Sequence, residues 1–238
     1  MSEVFVKHGS APGAAAAEAA YLRWLREGSN AVVEVIDVDE DANTLTIERV
    51  ESARPTVEAA RAAGRELAAI HAMGADAFGA PAHGWDGPNF IGTRRQECRP
   101  TRRWAPFYVE QRVLPFAEHA VKAGNLGGGG FDAVKRACDA LVEEDEDAPL
   151  ARIHGDLWAG NLLFSPDGPR FIDPAAHGGH PLTDIAMLEL FGAPHLSAIV
   201  DGYLDAGGSL GRDWQRRIAV HQLHPLAVHA WTHGPSYG

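Results

Sequence analysis

The residues with the clearest capacity for chemistry lie between positions 153 and 173. They read Ile153-His154-Gly155-Asp156-Leu157-Trp158-Ala159-Gly160-Asn161, an apolar run to Phe164, a Ser165-Pro166-Asp167-Gly168 turn, and Arg170-Phe171-Ile172-Asp173. Asp156 and Asn161 sit five apart on a loop between short apolar segments, and Asp173 ends the second arm of an expected hairpin. A hairpin folds back, so Asp173 can approach Asn161. A carboxylate and an amide oxygen at one point are hard ligands suited to Mg²⁺, which takes one or two protein carboxylates plus substrate phosphates. Asp156 then remains to orient an attacking hydroxyl and accept its proton.

The order His154-x-Asp156-x-x-x-x-Asn161, followed by Asp173, has the shape of a protein-kinase catalytic loop and its metal-holding aspartate. Such chemistry needs a strand lysine on the nucleotide phosphates and a helix glutamate to hold that lysine. Lys7 ends the first expected strand and Glu18 lies on the next expected helix. The chain has few other lysines, Lys122 and Lys135, which makes one at this place informative. Backbone groups from Glu48 to Val50 fall where adenine would pair.

The elements that must position these residues follow from composition and punctuation. Residues 3–7 read as a strand, 8–13 as a loop, and 14–27 as an alanine-rich helix stopped by Gly28. Residues 32–38 and 44–50 read as strands joined by a hairpin over Asp39 to Asn43. A connector over Glu51 to Pro55 leads to a helix over 56–73 with Ala60, Ala63, Leu67 and Ile70 on one face. Residues 74–102, rich in Gly, Pro and Arg, read as a long loop. A helix from Trp104 is ended or kinked by Pro115. Gly127 to Gly130 read as a flexible loop, and 131–144 as a helix running into acidic residues. Short strands surround Ile153, Leu162 to Phe164 and Arg170 to Ile172, and the chain is mostly helical from 182.

The 238 residues suffice for one large domain or two lobes. With 45% hydrophobic and 22% charged residues, collagen-like, low-complexity and largely disordered classes are excluded. No apolar run approaches the ~20 residues of a membrane span. No basic-then-apolar leader opens the sequence, and two cysteines, Cys98 and Cys138, are too few for a disulfide framework. A cytoplasmic location is the expectation. The net charge of -11, with one small basic cluster at Arg94, Arg95, Arg99, Arg102 and Arg103, speaks against nucleic-acid binding. Oligomeric state is not legible.

The segments His154–Asn161, Ile172-Asp-Pro-Ala-Ala176 and Asp184-Ile-Ala-Met-Leu-Glu-Leu-Phe-Gly192 resemble the fructosamine kinase (ketosamine-3-kinase) family. Phe5-Val-Lys7, Glu18-Ala-Ala-Tyr-Leu22, Asn89-Phe-Ile-Gly92 and Trp104-x-x-Phe-Tyr108 fit as well. The resemblance runs from residue 3 to the carboxy terminus. It implies an α+β, protein-kinase-like fold of two lobes: a truncated, small, β-rich lobe over 1–54 and a larger, mainly helical lobe over 55–238. It also implies ATP- and Mg²⁺-dependent phosphorylation of the 3-hydroxyl of a ketosamine, a sugar joined to an amine by glycation. By match, Asp156 is the base, Asn161 and Asp173 bind Mg²⁺, Lys7 binds phosphate, Glu18 holds Lys7, and Asp184 braces the loop with His154. Trp158 is placed to stack on a sugar ring, and His229 matches a family histidine near the acceptor. The lysine strand begins at residue 3, so no upstream hairpin is expected to cover the phosphates, and residues 8–13 are a candidate substitute.

Other readings stay open. Related kinases of small hydroxylated or amino acceptors share the Asp-to-Asn spacing. A catalytically weak pseudokinase would keep the fold without turnover. A metallohydrolase would gather His154, Asp156, His177 and His180 around a transition metal. His221, His224 and His233, with Trp231, read as core or surface residues.

Overall fold

β-branched and aromatic residues near the amino terminus build an antiparallel sheet. In the computed structural model, which describes residues 3–143 and 148–237, strands β1 (Val4–His8), β2 (Val35–Asp39) and β3 (Thr44–Glu48) lie in the order β1-β3-β2, with helix α1 (Ala14–Arg26) between β1 and β2 in sequence. Lys7 pairs with Leu45 across β1 and β3, which fixes the register of the lysine. The second strand starts later than its β-branched residues suggest. Val32 instead bridges in parallel to Phe171, and the Val33 N–H donates to the Phe171 carbonyl at 3.1 Å. This contact ties the sheet to the hairpin that ends in Asp173.

Helix α2 (Val57–Ala72) begins where Thr56 accepts a hydrogen bond from the Ala59 N–H at 3.1 Å, an N-cap of the usual kind. The expected loop over 74–102 contains a two-stranded hairpin, β4 (Asn89–Ile91) and β5 (Arg94–Gln96). Its arms of three residues are too short to show a period. Helix α3 (Trp104–Tyr108) passes through a wider turn at Val109–Val113 into α4 (Leu114–Lys122). The helical run does not end at Pro115: it continues through it into α4, with the wider turn directly before the proline.

Helix α5 (Gly128–Glu143) corrects the reading of the glycine tract as a loop. Its first turn closes when the Phe131 N–H donates to the Gly127 carbonyl at 3.0 Å, and Cys138 and Leu141 anchor the helix in the core. Burial there outweighs the poor helix propensity of glycine. Strands β6 (Ala151–Ile153), β7 (Leu162–Ser165), β8 (Gly168–Phe171) and β9 (His177–Gly179) form two antiparallel pairs, β6 with β9 and β7 with β8. Helices α6 (Leu182–Leu190), α7 (Leu196–Asp205), α8 (Trp214–His221) and α9 (Leu223–His233) complete the chain. No helix among the described residues is long and apolar enough to cross a membrane.

α2 and α7 cross in close contact because glycine faces backbone at the crossing. A Cβ on Gly64 would run into the Ile199 carbonyl and the Tyr203 amide, and one on Gly202 into the Arg61 carbonyl. Neither obstacle is a flexible side chain. Gly64→Ala is therefore expected to destabilise the protein by about 1–3 kcal/mol, which is a fall of several degrees in Tm for a chain of this size. A melting curve identical to the parent would mean that the two helices separate without penalty.

Candidate active site

Asp184, in the first turn of α6 and fully buried, organises the loop that precedes it in sequence. Its Oδ2 accepts from the His154 N–H at 2.8 Å and its Oδ1 from the Gly155 N–H at 2.9 Å. His71, on α2, donates from Nε2 to Asp184 Oδ2 at 3.0 Å, and its Nδ1 lies 2.9 Å from the Tyr203 hydroxyl. Burial alone would raise the Asp184 carboxyl, but the His71 bond and charge together with the Gly155 N–H hold it below the ordinary carboxylate range. Gly155 has φ +79° and no room for a Cβ against the Ala175 carbonyl, so the turn before Asp156 demands glycine.

The loop then closes on itself. Asn161 donates from Nδ2 to the Asp156 carbonyl at 2.8 Å and to the Asp173 carbonyl at 3.3 Å. The Ile172 N–H donates to the Asn161 carbonyl at 3.1 Å, which brings the end of the β7–β8 hairpin beside the loop. With Nδ2 anchored, Asn161 Oδ1 accepts no hydrogen bond from the described residues, and Asn161 lines the adjoining cavity. Asp173 takes a left-handed backbone, φ +54°, and its side chain is 48% exposed. Asp156 is pushed up to about 7, first by burial and then by the charges of Asp173 and Asp184.

Lys7 joins the two parts of the structure. Its Nζ lies 2.5 Å from Glu18 Oε1 and 2.6 Å from Asp173 Oδ1. Burial works to lower the lysine pKa, yet the two carboxylates outweigh it and the net shift is upward. Burial pushes Glu18 up to about 7, against the pull of Lys7. Lys7, Glu18, Asp156, Asn161 and Asp173 all line one cavity of ≈ 340 Å³. A second cavity of ≈ 560 Å³ is walled by Phe191, Thr232, His229 and His233. Asp156 and Trp158 line both cavities.

Trp158 is 44% exposed, with Phe191 edge-on at 6.4 Å. It is a cavity wall and not a core residue. His229 donates from Nδ1 to the Pro225 carbonyl at 2.8 Å and stacks on His233 at 4.8 Å. Glu48 and Val50 line neither cavity. The Glu48 N–H donates to the Glu34 carbonyl at 3.0 Å, and its carboxylate lies 3.5 Å from the Arg170 guanidinium. Strand pairing thus occupies the Glu48 N–H. Val50 packs against the main core at the start of the connector.

The four residues of the metallohydrolase reading do not converge. His154 donates to the Ile172 carbonyl at 2.9 Å, His177 to the Ala175 carbonyl at 2.8 Å, and His180 accepts from the Leu182 N–H at 3.1 Å. Among the described residues, no group of three or more His, Cys, Asp or Glu is arranged to hold a metal ion. Sequence reasoning missed His71, Tyr21, Phe191 and Thr232. Tyr21 donates to Asn89 Oδ1 at 2.9 Å and so braces the β4–β5 hairpin at the cavity rim. Their helices read as ordinary amphipathic segments, and only packing shows what they touch.

A profile of the fructosamine kinase family matches residues 1–238, the whole chain. The chain belongs to the fructosamine kinase family. A relative in Escherichia coli K12 named "Probable ketoamine kinase" is 30% identical over 213 residues, covering 88% of this chain and 72% of its own length. Among solved structures, a Thermobifida fusca protein described as a fructosamine-3-kinase superposes with a TM-score of 0.89 at 40% identity, covering 99% of this chain and 82% of that one. A macrolide 2'-phosphotransferase superposes at 0.60 with 19% identity, over 96% of this chain and 77% of that one, which shows the shared kinase-like α+β fold. Membership in the fructosamine kinase family makes this chain a phosphotransferase with ATP use implied.

Proposed function

We propose that this member of the fructosamine kinase family transfers the γ-phosphoryl group of ATP to the 3-hydroxyl of a ketosamine. The observation that carries the reading is the wall shared by the two cavities. Asp156 stands between a charged side holding Lys7 and Asp173 and an aromatic side holding Phe191 and His229. A hydroxyl entering from the aromatic side meets the carboxylate at the point where phosphate would arrive from the charged side. Asp156 accepts the proton as the hydroxyl oxygen bonds to phosphorus and the bond to ADP breaks. Burial raises the Asp156 carboxyl above the ordinary carboxylate range, which favours its taking up a proton.

Asp173 and Asn161 present the hard oxygen set that suits Mg²⁺, with Asn161 Oδ1 free of protein donors among the described residues. Bound there, the ion would offset negative charge on the phosphates. Lys7 supplies the fixed cation for the phosphates, and Glu18 holds it in place. Asp184 and His154 brace the loop. In this reading residues 1–54 form the nucleotide side while 55–238 carry the loop and acceptor site. Trp158 stacks on the sugar.

The test is acceptor-dependent ADP release with a synthetic fructosamine, followed by identification of the phosphorylated product. Lys7→Met is expected to lower kcat/KM for ATP by at least about tenfold, or 1.4 kcal/mol of transition-state stabilisation. Its fold should survive, because Glu18 titrates near neutrality and takes up a proton when its partner is removed. No acceptor-dependent ADP, or full activity in Lys7→Met, would overturn the reading.

A further inference from the structure

The aromatic cavity holds a cation, Arg94, that forms no ion pair with any carboxylate among the described residues. Arg94 opens β5 directly after the Gly92–Thr93 turn, opposite Ile91, and lines this cavity together with Asp156 and Trp158. Its guanidinium carbon lies 4.4 Å over the Trp231 ring, which in turn stacks on His119 at 4.2 Å and 12°. The guanidinium thus lies over a ring platform, placed by a cation–π contact and not by a counter-charge. Arg61, Arg99, Arg152 and Arg170 each pair with a carboxylate, whereas Arg94 pairs with none among the described residues. Its Nε is buried and has no hydrogen-bond partner. A buried donor without an acceptor is uncommon in folded proteins and calls for a partner that arrives with a ligand or with solvent. Asp156 is the one acidic residue among those lining the cavity.

A ketosamine carries its amine beside the sugar, and what lies beyond the amine depends on which amine was glycated. We propose that Arg94 reads a free carboxylate on the amine-bearing part of the acceptor, so that the substrates are ketosamines of free amino acids. This rests on the ketosamine reading of the site. With the hydroxyl at Asp156, the sugar and its positive nitrogen lie along the Trp158 face, and the carboxylate accepts from the guanidinium fork. Arginine suits this task because its planar donors match the two oxygens of a carboxylate. A glycated peptide N-terminus presents a neutral amide in place of that carboxylate, a glycated lysine side chain presents methylenes there, and either leaves the guanidinium unpaired.

The probes are fructosyl-glycine and fructosyl-glycinamide, which share a skeleton and differ in the carboxylate. The parent protein is expected to favour the acid by at least about tenfold in kcat/KM, since a site built for a polar group rejects the analogue that lacks it. Arg94→Met keeps an apolar stem over Trp231 and is expected to bring the ratio of the two acceptors to within about twofold, with Arg94→Lys intermediate. A parental ratio near one, or an unchanged ratio in Arg94→Met when both acceptors are slowed equally, would overturn the proposal. If neither probe is phosphorylated, the ketosamine reading fails. Calorimetric binding of the two probes to the parent and to Arg94→Met then decides the anion question: tighter binding of the acid that is lost in Arg94→Met supports it, and equal or absent binding overturns it.

Discussion

Asp156→Asn is expected to lower kcat by about 10²–10⁴, the range supplied by a positioned general base, while nucleotide affinity stays at the parental level. The substitution keeps the shape of the side chain and removes its ability to take a proton. The loop should hold, because its main anchor is the bond from Asn161 Nδ2 to the Asp156 backbone carbonyl at 2.8 Å, and the contact to the carboxylate itself is a longer 3.5 Å. Stability should be unchanged or higher. Asp156 lies within the repulsive reach of Asp173 and Asp184 and is buried, and a neutral amide relieves both penalties. Single-turnover kinetics, calorimetry with ATP and a thermal melt read the three quantities separately. A variant that transfers phosphate at the parental rate removes Asp156 from the base role.

Acidification between pH 6.5 and 4.5 is expected to destabilise the protein steeply. Burial lowers the pKa of His154, His177, His180, His221 and His224 in the folded state, His180 to about 3. Their nitrogens face backbone groups and rings, as when His221 stacks on Trp104 at 4.4 Å and meets Thr183 at 3.0 Å. Below the unfolded value near 6.5, the unfolded chain binds protons that the folded chain does not, so stability falls with pH, by about 1.4 kcal/mol per unit for a histidine held as low as His180. Asp156 and Glu18 work in the opposite direction. Their folded values near 7 exceed their unfolded ones, so each adds stability as pH falls through the same window. The histidines with lowered values, His229 among them, outnumber the two acids, so the net direction on acidification is a loss of stability. The expected Tm at pH 5.5 is several degrees below that at pH 7.5, at about 2–4 °C for each kcal/mol lost in a chain of this size. Equal melting temperatures at the two pH values would show that these histidines take up protons without unfolding the chain.

The sequence alone determined the part of the site that is local. Asp156, Asn161 and Asp173 lie within eighteen residues on a loop and hairpin whose turn chemistry is explicit, so their approach follows from chain geometry. Lys7 and Glu18 were legible from the order of strand and helix, and the structure brings both to the cavity with Asp173. Glu48 shows the limit of that approach. Its place before the connector is as expected, but its N–H is taken by Glu34, its carboxylate lies beside Arg170, and it lines neither cavity. The glycine tract at 127–130 shows the limit of propensity, since packing of a distant helical face drew Gly128 into α5. Only the tertiary structure decided that His71 on α2 fastens Asp184 on α6, 113 residues away, that Gly64 and Gly202 permit the α2–α7 crossing, and that Arg94 faces the same cavity as His229. The physical reason is one of range. Turns, caps and strand alternation are set by neighbours a few residues apart and leave a pattern in the sequence, whereas a side chain's partner across the core is chosen by how whole elements pack to bury apolar surface, and that choice leaves no local mark.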